Sequence, residues 1–393
     1  MHFIKIFLSR IIHFLMYIFV IKTNKYIIFE SGDYFFDNSF AMFLYIKKKY
    51  PCLKLKYCVT NEKQLKDAQL FGISKREIIF RKNSLYIFKI YYYSLKAKLI
   101  FMSYRAYWSP YRIPRKTKII YLSHGEFPIK DCSSLYNGIM LNSPNRFYLI
   151  FSTQYVLETV CEKNPICYKN IPVIAGMPRN DFINSCTFDK NDFLNMIGVD
   201  KKNPSIILSM TTFRNPVDDD NDFFRHEFPI ELSDASLLEL NEILEKNNSI
   251  YLIKVHHVQS EHKKQFKKLY SNIVFLENET LQNHKLMVQS LYLFADVMIT
   301  DYSSSFISFL PFNKPIGFIQ TDKDSYYRGF TIEDIDTLLP GEKIYSYEDF
   351  VNFIKSPNVN EHIWSKQRNI VREKLLGDYH GNNCESIAKI FLE

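Results

Sequence analysis

Glycine is scarce in this chain: only 11 of its 393 residues are glycine, and no G-x-G-x-x-G or G-x-x-x-x-G-K-[ST] run occurs. The tight backbone cradles of dinucleotide-binding folds and P-loops both need such runs, so both are excluded. The seven cysteines (52, 58, 132, 161, 167, 186 and 384) form no C-x-x-C pair and no His/Cys metal spacing. This odd, scattered set fits reduced thiols in a cytosolic setting and predicts no metal site. Repeats of solenoid period are missing, as is any signature of a DNA- or RNA-binding module. No apolar run reaches the about 20 residues of a spanning helix, because Lys5, Ser9, Arg10 and His13 interrupt the N-terminal stretch.

What is present is a globular composition, 47% hydrophobic and 23% charged, with 34 Phe and 27 Tyr. The net charge of +8 (50 basic minus 42 acidic residues) suits anionic substrates or an anionic membrane surface rather than nucleic acid. Short apolar runs alternate with helical patterns throughout. Strands are expected at 26–29, 55–59, 99–102, 119–122, 149–151 and 173–175. A second series is expected at 206–210, 251–255, 273–276, 297–300 and 316–319. Helices fall between them, at 38–48, 62–70, 189–197, 236–245, 288–293 and 347–355. That alternation predicts an α/β protein of two doubly wound, Rossmann-type domains facing across a cleft. The expected layout is an amphipathic membrane-associating segment at 1–22, a first domain at 23–195, a second at 196–375, and a C-terminal segment at 376–393 packing back on the first domain. The four aspartates of 215–222 lack the spacing of a calcium loop and read as a solvated surface loop.

In parallel sheets, ligands gather beyond the carboxyl ends of the strands, and five polar segments sit at such ends. Ala295–Lys314 reads as a buried strand, a polar turn with Asp301, Ser303 and Ser304, and then a helix start. Hydroxyls and unpaired N–H groups there suit a phosphate, though Asp301 and Ser303 would equally cap a core helix. Tyr121–Asp131 delivers His124 and Gly125, with Glu126 and Lys130 nearby. A histidine there can take a proton from an acceptor hydroxyl, and can equally make a structural hydrogen bond. Ala175–Asp181 presents Arg179, fit to grip a phosphate or to pair with Asp181, while Asn180 and Asp181 read as structural. Ser209–Asn215 offers Thr212 and Arg214. Leu252–Gln259 ends in His256 and His257, which point to opposite faces of a strand, so they do not share a metal; His256 is the one assigned to the cleft. Beyond 314, Tyr326, Arg328 and Gly329 form a polar, aromatic loop able to border a nucleotide or acceptor.

Taken in order, these segments resemble the CDP-glycerol glycerophosphotransferase family of teichoic acid and capsule polymer synthesis. The likeness begins with the strand and loop at 29–39, where Asn38 stands in the matching place, and continues through His124–Gly125 with Lys130. Gly-Met-Pro-Arg-Asn-Asp (176–181), Thr212 with Arg214, His256 and Ala295–Ser304 follow. The resemblance implies a GT-B-like fold and transfer of a glycerol- or ribitol-phosphate unit from CDP-glycerol or CDP-ribitol to a hydroxyl of a cell-surface polymer or lipid-linked acceptor, with release of CMP. It implies His124 and His256 as the catalytic pair. Ser303 and Ser304 become donor phosphate contacts, with Asp301, Arg214, Thr212 and Arg179 beside them, and Asn38, Gly125 and Lys130 lie on the acceptor side. No cofactor and no metal are called for, and the cytoplasmic face of the membrane is the expected peripheral location. The loop after Gly125 is one residue longer than the family's usual Thr-Pro-Leu-Lys, and Thr211 and Phe213 replace the usual Pro and Trp. A GT-B glycosyltransferase using a nucleotide sugar, and a non-catalytic membrane-associated scaffold of capsule assembly, are the alternatives.

Overall fold

The computed structural model describes residues 11–12, 14–32, 35–82, 85–104, 113–114, 116–123, 127, 129, 147–212, 230, 233–254, 270–324, 326, 329–378 and 381–393. The chain forms two compact units. The first comprises residues 1–126, 132–182 and 379–393, and the second comprises 127–131 and 183–378.

Hydrophobic runs of three to six residues form the first unit's sheet: β1 (Tyr26–Glu30), β2 (Lys54–Val59), β3 (Ile78–Phe80), β4 (Ala97–Met102), β5 (Lys118–Tyr121), β6 (Phe147–Phe151) and β7 (Ile171–Ile174). They line up in the order β3-β2-β1-β4-β5-β6-β7, and every pairing is parallel. Helices α1 (Asn38–Lys49), α2 (Glu62–Leu70), α3 (Tyr86–Leu95) and α4 (Gln154–Lys163) provide crossovers. The central strand β1 buries Ile27, Ile28 and Phe29 completely or nearly so, and Phe29 stacks on Phe101 of β4 while meeting Phe43 of α1 edge-on. Each such side chain removed from water contributes about 2 kcal/mol.

The second unit repeats the plan. It begins with α5 (Lys190–Ile197) and continues with β8 (Ser205–Ser209), α6 (Asp234–Lys246), β9 (Ser249–Lys254), β10 (Ile273–Leu276), α7 (Asn278–Asn283) and α8 (Leu291–Phe294). Then come β11 (Val297–Thr300), α9 (Ser305–Phe309), β12 (Ile316–Ile319), β13 (Glu342–Ile344), α10 (Tyr347–Lys355) and α11 (Glu361–Leu376). Its parallel sheet runs β10-β9-β8-β11-β12-β13. The last helix, α12 (Asn383–Leu392), belongs to the first unit, where Phe391 meets Phe101 and Tyr148.

The seam differs from the expected 195/196 and falls at 182/183. The reason is α5: Phe193 stacks on Phe294 at 4.4 Å, and Lys190 pairs with Asp296 at 2.7 Å, so this helix packs with the second unit. Several elements escaped the sequence reading. Strands β3 and β13 are three-residue partners too short for a period to show. Helix α3 (YIFKIYYYSL) is apolar nearly all round, a pattern that does not separate helix from strand. Helix α11, the longest described, places an arginine inside its own buried stripe of Arg368, Val371, Leu375 and Leu376.

That arginine is fully buried. Its guanidinium donates to the side chain and main-chain carbonyl of Asn313 and pairs with Glu361. Asn313, in the left-handed region at φ 48°, ends the turn after α9, so Arg368 clamps α11 to the segment that follows the Ser303–Ser305 turn. In β13, Lys343 lies between the rings of Phe318 and Trp364, and burial lowers its pKa from 10.5 to about 8.

Two outcomes follow for stability. Arg368→Ala strands Glu361 and Asn313, and the urea midpoint should fall by the equivalent of about 3 kcal/mol; an unchanged midpoint would refute the clamp. Because the folded Lys343 releases its proton more readily than the unfolded one, the burial penalty fades as pH rises through about 8, and stability should climb between about pH 8 and 10.5. Lys343→Met should flatten that rise in denaturation curves taken across the same window.

Candidate active site

The carboxyl edge of the first sheet is organised by Asn38. Asp37 has extended backbone and takes the Asn38 N–H at 2.8 Å, starting α1. Asn38 is fully buried. Its amide donates to the carbonyls of Leu122 (3.2 Å) and Ser123 (3.0 Å), and its Oδ1 accepts the Arg179 N–H at 3.0 Å. One carboxamide therefore ties together the start of α1, the end of β5 and the 176–181 turn. Ser123 is held at φ 60°, a left-handed conformation unusual for serine, immediately before His124. Ser39 strengthens the same junction: its hydroxyl donates to the Glu30 carbonyl (2.9 Å), and its N–H reaches Ser103 Oγ (2.8 Å).

The 176–181 turn has a second tether. Asp181 accepts the N–H groups of Asn383 (3.0 Å) and Cys384 (2.7 Å) and the Asn383 side chain (2.9 Å), capping α12 rather than the following segment. Gly176, at φ 72°, lies so close that a Cβ would sit 2.1 Å from Asn383 Oδ1. Arg179 pairs with Asp37 (3.5 Å). Asn180 is buried, as a structural residue would be.

At the carboxyl edge of the second sheet, Asp301 has the organising place. Expected among the donor phosphate contacts, it is fully buried, and its Oδ1 accepts the N–H groups of Thr212 (2.8 Å) and Ser303 (3.1 Å). An inward carboxylate engaged with backbone in this way fixes the turn. Thr212 is likewise buried and joins this network through its backbone. Thr300 Oγ donates to the Met210 carbonyl at 2.7 Å, closing β8 against β11. Ser303 Oγ accepts the Ser305 N–H at 3.4 Å, and Ser304 is partly exposed and makes no capping bond. The helix after them, α9, is only five residues long and passes into a 3-10 turn at Leu310–Phe312. The hydroxyls and turn amides thus matter more at this spot than a macrodipole. Tyr326 is buried in an aromatic cluster with Tyr302 and Phe330 rather than presented on a loop surface.

His124, Gly125, Lys130, Arg214 and His256 lie outside the described residues, as do Glu126, His257 and Arg328. Ser123 leads directly into His124, and Lys254 at the end of β9 stands two residues before His256. Sequence reasoning missed Asp37, Ser103 and Ser123. An acid just before a helical run was a usable signal for Asp37; nothing in the sequence marks Ser123 as left-handed. Among the described residues, no group of three His, Cys, Asp or Glu side chains could hold a metal.

The pattern of the CDP-glycerol:poly(glycerophosphate) glycerophosphotransferase family matches residues 12–393. A teichoic acid poly(glycerol phosphate) polymerase of Bacillus spizizenii is 27% identical over 365 residues, covering 85% of this chain and 84% of that protein. A teichoic acid poly(ribitol-phosphate) polymerase of the same species is 24% identical over 309 residues, covering 73% of this chain and 46% of its own length. Among solved structures, the wall teichoic acid polymerase TagF superposes with a TM-score of 0.73 at 16% identity, covering 99% of this chain and 94% of that one. UDP-GlcNAc 2-epimerase from Neisseria meningitidis, at 11% identity, gives a TM-score of 0.57 over 95% of this chain and 100% of its own. These likenesses show the fold, a GT-B-like pair of doubly wound α/β units. With the match spanning all but the first residues, this chain belongs to the CDP-glycerol:poly(glycerophosphate) glycerophosphotransferase family.

Proposed function

We infer that this protein transfers a glycerol-phosphate or ribitol-phosphate unit from a CDP-activated alditol to a hydroxyl of a polymeric or lipid-linked acceptor, releasing CMP. The observation that carries this reading is the family match over residues 12–393. It is supported by the buried networks at both carboxyl edges, which hold polar turns where parallel sheets place their ligands.

The acceptor hydroxyl attacks the β-phosphorus of the donor and loses its proton as the new P–O bond forms. The bond to the CMP oxygen breaks, and CMP departs with the charge. His124 is the proposed base, and the left-handed Ser123, pinned by Asn38, sets where its backbone begins. The leaving CMP needs its charge met by donors already in place, because phosphoryl transfer rests on positioning and electrostatics. Ser303, Ser304 and the turn amides are proposed for that task, with Arg214 and His256 completing it. Asp301 and Thr212 hold this turn from beneath, and Arg179, through Asp37, belongs to the framework of the acceptor side.

The N-terminal segment gives the reading its location. Residues 14–19 are helical, and Ile11, Phe14, Leu15, Ile18 and Phe19 share its exposed face, from 41% to 77% accessible. No helix among the described residues is long and apolar enough to cross a membrane. An apolar stripe of this kind, followed by Lys22 and Lys25, lies in the interface plane of a bilayer, so we assign the protein a peripheral membrane position.

His124→Ala should slow CMP release from CDP-glycerol by at least about a hundredfold with the circular dichroism spectrum unchanged; near-normal turnover would remove histidine as the base. A donor panel of CDP-glycerol, CDP-ribitol and nucleotide sugars, read by mass analysis of products, should show alditol-phosphate transfer with CMP and no sugar transfer. Asn38→Asp sets a carboxylate against the carbonyls of Leu122 and Ser123. It should cost about 2 kcal/mol in urea titration and depress turnover with it; wild-type stability would show that the carboxamide network is dispensable.

A further inference from the structure

Gln320 is the first residue beyond β12, at the carboxyl edge of the second sheet. It is only 4% exposed, and its N–H continues the ladder to the Ile344 carbonyl at 2.9 Å. Its side-chain Nε2 donates to Asp336, which lies in the 3-10 turn Ile335–Leu338. Its Oε1 is buried as well, and among the described residues nothing donates to it. A buried carboxamide oxygen without a donor destabilises a fold, so its presence in a native protein calls for a physical reason.

The amide cannot turn over to exchange its oxygen for its nitrogen. Asp336 is paired with Lys323 on its other oxygen. Burial pushes the Asp336 carboxyl upward, but the bonds from Lys323 and Gln320 and the nearby Lys343 outweigh that, and the group sits below the usual carboxylate range. A carboxylate accepts hydrogen bonds and donates none. The Gln320 nitrogen must therefore face Asp336, and the oxygen is left as an acceptor turned away from it.

Strand alternation and register place this acceptor. Phe318 and Gln320 leave the chain on one face, and Phe318 meets Phe306 of α9 edge-on at 5.1 Å. Gly317 and Ile319 leave on the other, where Phe353 of α10 packs. Helix α9 follows the Ser303–Ser304 turn directly, so Gln320 shares its face with that turn. Thr300 of β11 stands opposite Phe318. Gln320, two residues and about 7 Å further on, is level with the residues that follow Asp301, and β11 is one strand spacing of about 4.8 Å away. The groups on the two sides of a donor diphosphate differ in reach. An alditol carries its first free hydroxyl one carbon beyond the ester CH2, whereas the cytosine amine lies beyond a whole ribose. A residue beside the phosphate turn is in reach of the hydroxyl. We propose that Gln320 Oε1 accepts a hydrogen bond from the alditol hydroxyl nearest the donor phosphate, and that Asp336, held by Lys323, fixes the amide for this task. The proposal rests on the transfer reading above and adds to it a residue that selects the transferred group; Gln320 is the contact and Asp336 a positioning residue.

The test compares the full chain with Gln320→Met and Asp336→Asn by kcat/KM for nucleotide release, with a lipid-linked poly(glycerol phosphate) primer as acceptor. The donors are CDP-glycerol, CDP-ribitol, the counterpart of each that lacks the hydroxyl nearest the phosphate, and UDP-glycerol. The wild type should use the deoxy donors about tenfold less well than their parents. Gln320→Met should lose about tenfold on the parent donors and match the wild type on the deoxy ones, the non-additivity of a direct contact. Asp336→Asn, whose amide can both donate and accept, lets the Gln320 amide turn, and the preference for the parent donors should shrink to about threefold. A structural role would lower all rates together and leave these ratios in place, so equal losses on every donor in Gln320→Met overturn the proposal. A wild type that uses the deoxy donors as well as their parents does the same. If Gln320→Met instead relaxes the choice of CDP-glycerol over UDP-glycerol, the amide reads the base and the alditol assignment fails. Should circular dichroism show that Gln320→Met does not fold, the other two proteins decide, and a preference absent from the wild type or undiminished in Asp336→Asn overturns it. If the wild type transfers from neither CDP-alditol, the transfer reading itself falls, and this inference with it.

Discussion

Each sheet in this protein depends on one buried polar side chain placed where its strands end. In the first unit it is Asn38, whose amide and carbonyl engage Leu122, Ser123 and the Arg179 N–H; in the second it is Asp301, which gathers the N–H groups of Thr212 and Ser303. Strands of a parallel sheet stop with unpaired backbone groups, and burying those groups without partners costs more than any single hydrogen bond returns. A short side chain that meets several of them at once removes the penalty and fixes the geometry of the turns. The turns that carry the proposed chemistry are held from beneath, by residues that need not touch a substrate.

This arrangement explains why a fold so rich in apolar contacts keeps costly polar groups inside. The core of Ile27, Phe29, Phe101 and their neighbours would hold the sheet together without Asn38, but it would not specify a left-handed Ser123. The C-terminal helix serves the same end from outside the sheet. Asp181 caps α12, Asn383 closes over Gly176, and Phe391 anchors the helix on Phe101, so the last residues of the chain brace the turn that carries Arg179. Arg368 does for the segment after α9 what Asp181 does for the earlier turn.

The two edges of the first sheet have opposite character. The carboxyl edge is knotted by the Asn38 carboxamide and the Arg179–Asp37 pair and leads into the histidine proposed as base, while at the amino edge Lys96 donates to the Tyr92 hydroxyl and Lys25, Lys54 and Lys118 are exposed.

Much of this was legible in the residues themselves. Continuous apolar runs between helical patterns announce parallel, doubly covered strands, and eleven expected strands appear close to their expected places because burial on both faces leaves no other use for such runs. The strand–turn–helix at 295–309 was also visible, as was the clustering of polar motifs at strand ends. Elements too short or too uniform to show a period, β3, β13 and α3, were not, and α11 hid behind the arginine in its buried stripe. Tertiary structure alone decided what the polar residues do. Asp301 turns inward, Arg179 pairs with Asp37, and Asp181 caps a helix two hundred residues later in the chain. Local periodicity is written in neighbouring residues; the partner of a buried side chain is chosen by packing across the whole unit.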